Sequence, residues 1–359
     1  MRHIAARLTG VGRRPENRQK KLVTAVLTAA ALVMATGLGS VALAAVNEPP
    51  SVPNGYTLVA TIPLPGPAGH GDWVAYDAGN GYIYVSHHGS NLVVVDPTKN
   101  TVVANIESPE LKTPDVMTFD ANRVYVTAED AQRIVVISKK DWKIVGSART
   151  KGAAPDGIWL DPGTGRLYVV TNAANQLEVY ASGNQPKLIA TYPLRPTKPK
   201  AGPDVGVLVP VKATLYETDD SLVLALDSKT GQITGVLDTH LPIAENGANK
   251  SMVYDPKTNR LWVATTDKQV VILDADMLTE ITNPRATEPD DGISLDAGLR
   301  LVYAFGGHGF DVYNADTLQH VAYVNTGSAI THTGAVDTVN HRVYAYEGQA
   351  NVLGVYARR

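Results

Sequence analysis

The chain has 359 residues, no cysteine and a formal net charge of −3. Without cysteine it can have no disulfide framework, no thiolate metal centre and no cysteine nucleophile. A hydrophobic content of 44% is ample for a large core in a single domain.

The first element in chain order is a leader. Arg2, Arg7, Arg13, Arg14, Arg18, Lys20 and Lys21 precede an apolar run that closes on Ala42-Leu43-Ala44. A basic region, an apolar region and an Ala-x-Ala site predict a secretory signal over residues 1–44. Pro15-Glu16-Asn17 continues Arg13-Arg14 poorly as a twin-arginine signal, so the Sec route is expected. The alternative is a retained anchor, because the run is nearly long enough to span a bilayer. Small residues at its end and the lack of a following basic stop favour cleavage. The protein is then expected to be secreted or held in the cell envelope, as a monomer with no membrane attachment. Residues 45–359 alone would carry 25 basic and 34 acidic side chains, a formal charge of −9. Such a surface repels phosphate backbones, which argues against nucleic acid as a partner.

From residue 69 onward one pattern recurs seven times. It is an apolar strand, an Asp-rich turn, a strand bearing Tyr or Trp, and further apolar strands. Aligning Tyr84, Tyr125, Tyr168, Leu215, Trp262, Tyr303 and Tyr344 gives intervals of 41, 43, 47, 47, 41 and 41. A period of that size predicts four-stranded blades of a β-propeller, an all-β fold. In blade one the strands are expected over 72–77, 82–86, 91–95 and 101–106. Blades are expected to start near residues 70, 114, 155, 203, 249, 289 and 332. Turn residues Asp120, Asp161, Asp255 and Asp337 suit local bonds from side chain to backbone. No segment after residue 45 has a convincing helical period.

The last repeat holds only three strands. Residues 56–62, Tyr-Thr-Leu-Val-Ala-Thr-Ile, resemble the outer strand Thr-Val-Val-Ala-Asn-Ile of blade one. They are expected to supply the fourth strand of blade seven and close the ring, removing open sheet edges.

Tyr125-Val126-Thr127, with Tyr84-Val85-Ser86 and Tyr168-Val169-Val170, each lead into a loop and an apolar strand. The pattern resembles the YVTN-repeat, YncE-like seven-bladed propellers along essentially all of the chain after the leader. The Gly-His…Trp-Asp pairing of WD40 repeats is missing. The resemblance implies the fold and export. It rests on strand and turn residues, so it carries over no catalytic residue.

Unrepeated residues mark one face. Loops ahead of the inner strands carry His70, Asp72, Asp115, Asp156, Asp204, Lys250, Asp290 with Asp291, and His332. The carboxylates either cap the inner strands and tie blades together or form a negative funnel at one end of the channel. Asp72, Asp115, Asp156, Asp204, Lys250 and Asp290 are the candidate ligand-binding residues. Five histidines, His70, His87, His88, His308 and His332, fall on this face, in blades one, six and seven, which become neighbours on closure. Glu347 shares their level. Imidazoles with a carboxylate suit a divalent metal such as Zn, Cu, Mn, Fe or Mg. They also suit proton transfer, with His87, His332 and Glu347 as candidate catalytic groups. Of His87 and His88 only one can readily point inward, because neighbours on an extended chain point oppositely. The basic, proline-rich excursion over residues 195–200 is expected above the same face.

There is no Gly-x-Ser-x-Gly, and no Gly-x-Gly-x-x-Gly follows a strand, so a nucleotide cofactor is not expected. Three functions remain open. One is an exported propeller binding a small ligand or divalent metal without turnover. Another is a metal-assisted lyase or hydrolase acting on a lactone- or uronide-type substrate. The last is a cell-envelope interaction scaffold.

Overall fold

The computed structural model describes residues 55–87, 89, 91–195, 201–244 and 247–359. The predicted signal, His88 and residues 196–200 of the basic excursion lie outside the described residues.

Strand-forming runs of about six residues, broken by Asp, Asn, Gly and Pro, pair into seven four-stranded antiparallel sheets. The result is a seven-bladed β-propeller. Blade one runs Gly71–Asp77, Tyr82–His87, Asn91–Asp96 and Thr101–Glu107, from the inner to the outer strand. The remaining inner strands are Pro114–Phe119, Pro155–Asp161, Val207–Val209, Asn249–Asp255, Gly292–Asp296 and Thr331–Asp337. Blade seven is completed from the other end of the chain. Tyr56–Pro63 pairs antiparallel with Val352–Arg358, from Tyr56 opposite Arg358 to Pro63 opposite Val352.

Local chemistry explains the hairpins. Asp77, Asp120, Asp161, Asp255, Asp296 and Asp337 each accept the backbone N–H two residues on, at 2.7–3.1 Å. An Asp side chain that imitates a backbone turn starts each reversal. The core is built between blades. Seven apolar clusters lie between adjacent blades, as where Val74, Val85 and Val93 of blade one meet Tyr344, Tyr346 and Leu353 of blade seven. Each fully buried Val or Leu in these layers contributes roughly 1.5–3 kcal/mol.

One repeat position differs from the sequence alignment. Tyr216, not Leu215, stands where Tyr84 and Tyr125 stand. It pairs with Val207 of the inner strand as Tyr84 pairs with Ala75 and Tyr125 with Thr118. The intervals around it are therefore 48 and 46. Blade four misleads because its inner strand is cut to three residues, and Pro203 joins Asp219 only by an isolated bridge.

Candidate functional site

The second residue of an inner strand points into the central channel, and the seven blades place seven different neighbours there. Asp72, Asp115, Asp156, Lys250 and His332 are second residues of their strands. Asp204 follows the bridging Pro203, and Asp291 immediately precedes Gly292. Five carboxylates, one ammonium and one imidazole thus face one another around a ring.

Half of this ring alternates in charge. The Lys250 ammonium pairs with Asp204 and lies 3.6 Å from Asp291. The other oxygen of Asp291 pairs with His332 Nε2, and His332 Nδ1 donates to the Gly71 carbonyl at 2.7 Å. The series Asp204, Lys250, Asp291, His332 therefore ties blades four to seven to blade one. Burial alone would discharge the His332 ring, but Asp291 beside it outweighs burial and lifts its pKa to about 9. Burial likewise opposes ionisation of Asp291, yet Lys250 and His332 hold its carboxyl well below the usual range.

The other half is acidic. Asp115 is 5% exposed, and burial pushes its carboxyl well up. The charges adding most to that push are Asp72, Asp156, Glu129 and Asp204. Asp156 is raised by burial and then by Asp204 and Asp72, with Lys250 offsetting only part. Burial also raises Asp204, against the pull of Lys250. Like charges this close make the channel costly to ionise fully and favourable to a cation.

Two cavities adjoin the ring. A central one of about 100 Å³ is lined by Asp72, Asp156, Asp204, Lys250, Asp291 and His332. A lateral one of about 270 Å³ lies against Asp290, Gly306, Gly307, Ile330, His70 and His332. Asp291 and His332 line both cavities, so their ion pair is the wall between them. Asp290 stands on the lateral side, and Asp291 holds the ring position of blade six.

The predicted histidines separate. His70 and His332 are brought together, with ring centroids 3.7 Å apart. His87 is buried edge-on to Tyr346 at 5.5 Å, within the layer between blades one and seven. His308 is exposed in the blade-six turn, 3.7 Å from Glu288. Glu347 accepts the Tyr356 hydroxyl at 2.8 Å, which turns it into blade seven, and burial raises its pKa. Among the described residues no group of three or more His, Cys, Asp or Glu is arranged to hold a metal ion. Arg195, at the foot of the excursion, is tied to Asp219 at 2.8 Å and Asp220 at 2.6 Å.

Glu217, inside the second strand of blade four, is not among the candidate site residues of the sequence analysis. Its equivalents two residues before the end of the second strand are Val85, Val126, Val169, Val263, Ala304 and Ala345. Glu217 is fully buried, and its Oε2 has no hydrogen-bond partner among the described residues. Burial, then the charges of Asp156 and Asp204, push its carboxyl well up. The signal was a Glu at a Val/Ala position, legible once Tyr216 is the alignment point.

No protein-family model matches the chain, and no curated protein matches its sequence. Among solved structures the chain is similar to Kuenenia stuttgartiensis hydrazine synthase. The TM-score is 0.68 over 82% of this chain and 96% of that chain, at 16% identity. At that identity the likeness establishes the propeller fold alone.

Proposed function

We propose that the protein is an exported, monomeric propeller of the YVTN-repeat type that binds a divalent metal ion or another small cation in its central channel, without turnover. The observation that carries this reading is the uneven charge of the ring. Lys250 and His332 offset Asp204 and Asp291, while Asp115 and Asp156 have carboxylates as their strongest charged neighbours. A cation entering there would relieve repulsion already present in the fold. Export rests on the character of residues 1–44, and the family on the Tyr-Val-Thr-like strands. The test is a thermal-shift and calorimetric titration with Mg²⁺, Ca²⁺, Mn²⁺, Zn²⁺, Cu²⁺ and putrescine. At least one should stabilise the protein, and an Asp115→Asn/Asp156→Asn double variant should lose about tenfold or more in affinity. If every cation leaves wild type unchanged, the reading fails.

A second reading is favoured by the His332–Asp291 pair on the wall shared by two cavities. It is the metal-assisted lyase or hydrolase acting on a lactone- or uronide-type substrate. With its pKa near 9, His332 is an imidazolium at neutral pH and would act as a general acid toward a leaving oxygen. A substrate panel with wild type and His332→Gln tests it. Turnover that is equal in both proteins, or absent from both, removes His332 from any catalytic role.

A further inference from the structure

Resting on cation binding in the channel, we propose that the channel's cation is a short primary alkylammonium ion, its nitrogen held between Asp115 and Asp156 of blades two and three.

The ring itself contains the pattern for such a site. An ammonium of the protein, Lys250, pairs with Asp204 and lies 3.6 Å from Asp291, the ring residues of the blades on either side of its own. Burial would discharge that ammonium, yet Asp204 and Asp291 outweigh burial and keep it charged. Blades one to three carry Asp72, Asp115 and Asp156 at the same level, so no basic residue of the ring stands between them.

Asp115 and Asp156 are set side by side. The Thr127 hydroxyl donates to the Asp156 carbonyl at 2.6 Å and lies 3.0 Å from the carbonyl of Val116, the residue after Asp115. This pins the two inner strands together immediately beside the two carboxyl groups. Asp115 is 5% exposed, and neither its carboxyl nor that of Asp156 has a hydrogen-bond partner among the described residues. The strongest charges acting on Asp115 are Asp72 and Asp156, and those on Asp156 are Asp204 and Asp72, so both carboxyls face the ring interior. Two adjacent acceptor groups there call for a ligand that donates several hydrogen bonds and carries positive charge.

The cavity selects the size. Asp72, Asp156 and Asp204 line about 100 Å³ of space, to which Trp73 and Val205 add apolar wall for a carbon chain. The Asp204 side chain is 18% exposed, so solvent reaches this level. A volume well below the ~300–1,000 Å³ of drug-sized pockets admits one charged group and a chain of a few carbons. Direct coordination of Mg²⁺ or Ca²⁺ needs several oxygens at about 2.0–2.6 Å from one point. Among the described residues no three or more His, Cys, Asp or Glu are arranged in that way. An ammonium group, with three donors, needs acceptors only at about 2.7–3.2 Å.

Calorimetry at fixed ionic strength with ethylammonium chloride tests the inference. The controls are tetramethylammonium chloride, which has no N–H, and ethanol, which has no charge; Mg²⁺ and Mn²⁺ are titrated in parallel. Ethylammonium should bind wild type about tenfold or more tighter than either control. Asp115→Asn/Asp156→Asn should abolish that preference, and Asp115→Asn alone should weaken it, with melting curves showing that both variants fold. Equal affinity for ethylammonium and tetramethylammonium, or unchanged ethylammonium affinity in the folded double variant, would overturn the proposal. Binding of Mg²⁺ or Mn²⁺ without binding of ethylammonium at millimolar concentration would also overturn it, while leaving cation binding in the channel intact. Binding of no cation at all would remove both.

Discussion

The His332 imidazole and the Asp291 carboxylate belong to different blades and meet in a direct ion pair, while the far nitrogen of the ring donates to Gly71 at 2.7 Å. Three blades thereby share one charged contact at the seam where the ring closes. Its strength depends on the protonation of both partners.

That dependence has a definite sign. The pKa of His332 is raised from an ordinary 6.5 to about 9 on folding. Its contribution is fully present below pH 6.5 and is lost as pH rises through 9. Asp291 is depressed, so its contribution holds above the ordinary carboxylate range and fails only in strong acid. His332→Gln should therefore destabilise the protein by up to about 3 kcal/mol at pH 6 and by little at pH 10. Melting temperatures of both proteins across that range check this; a gap independent of pH would deny the ion pair its role.

In the acidic half, ionisation is what costs stability. Asp115 is raised, so the folded state favours its protonated form, and stability is lost as pH climbs from about 4 through the raised value. Asp115→Asn should raise the melting temperature at pH 8 by about 2–4 °C, with a smaller gain at pH 5. Scanning calorimetry at the two values decides it.

Glu217 should be replaceable at a gain. Restoring the repeat residue, Glu217→Val, removes a buried carboxyl with one oxygen unpartnered among the described residues and should stabilise by about 1–3 kcal/mol. Denaturant unfolding measures this directly. Destabilisation instead would mean that the carboxyl is satisfied in solution and serves the blade-four wall.

Ring closure should govern solubility. Removing residues 1–63 deletes the strand Tyr56–Pro63 and bares the whole length of Val352–Arg358. An uncovered strand invites pairing with another chain. The truncated protein should associate or aggregate by light scattering, whereas a chain beginning at residue 45 should not.

Much of the fold could be read in advance because propeller blades are local objects. Tyr84, Tyr125 and Trp262 recur on strands whose hairpin partners lie within about twenty residues, and the Asp77 and Asp161 turns form within three residues of each Asp. The alignment slipped in blade four, where Pro203 and Gly206 interrupt the inner strand and Leu215 took the place of Tyr216. The face carrying His70, Asp72, Asp115, Asp156, Asp204, Lys250 and His332 was also legible, since strand register alone decides which loops reach it.

Side-chain direction and partner choice were not legible. His87 and His332 both lie on strands at the same face, yet one packs against Tyr346 and the other pairs with Asp291. Adjacent Asp290 and Asp291 differ as sharply, one buried with no hydrogen-bond partner for its carboxyl oxygens among the described residues and the other held between Lys250 and His332. Neighbours on an extended chain point to opposite sides, so a shift of one residue exchanges the channel for the blade interior. Seven blades, their strands and their closing segment follow from short-range patterning in the chain. The ion pairs between blades and the two cavities arise only when residues about forty positions apart, and finally the two ends of the ring, are brought into contact.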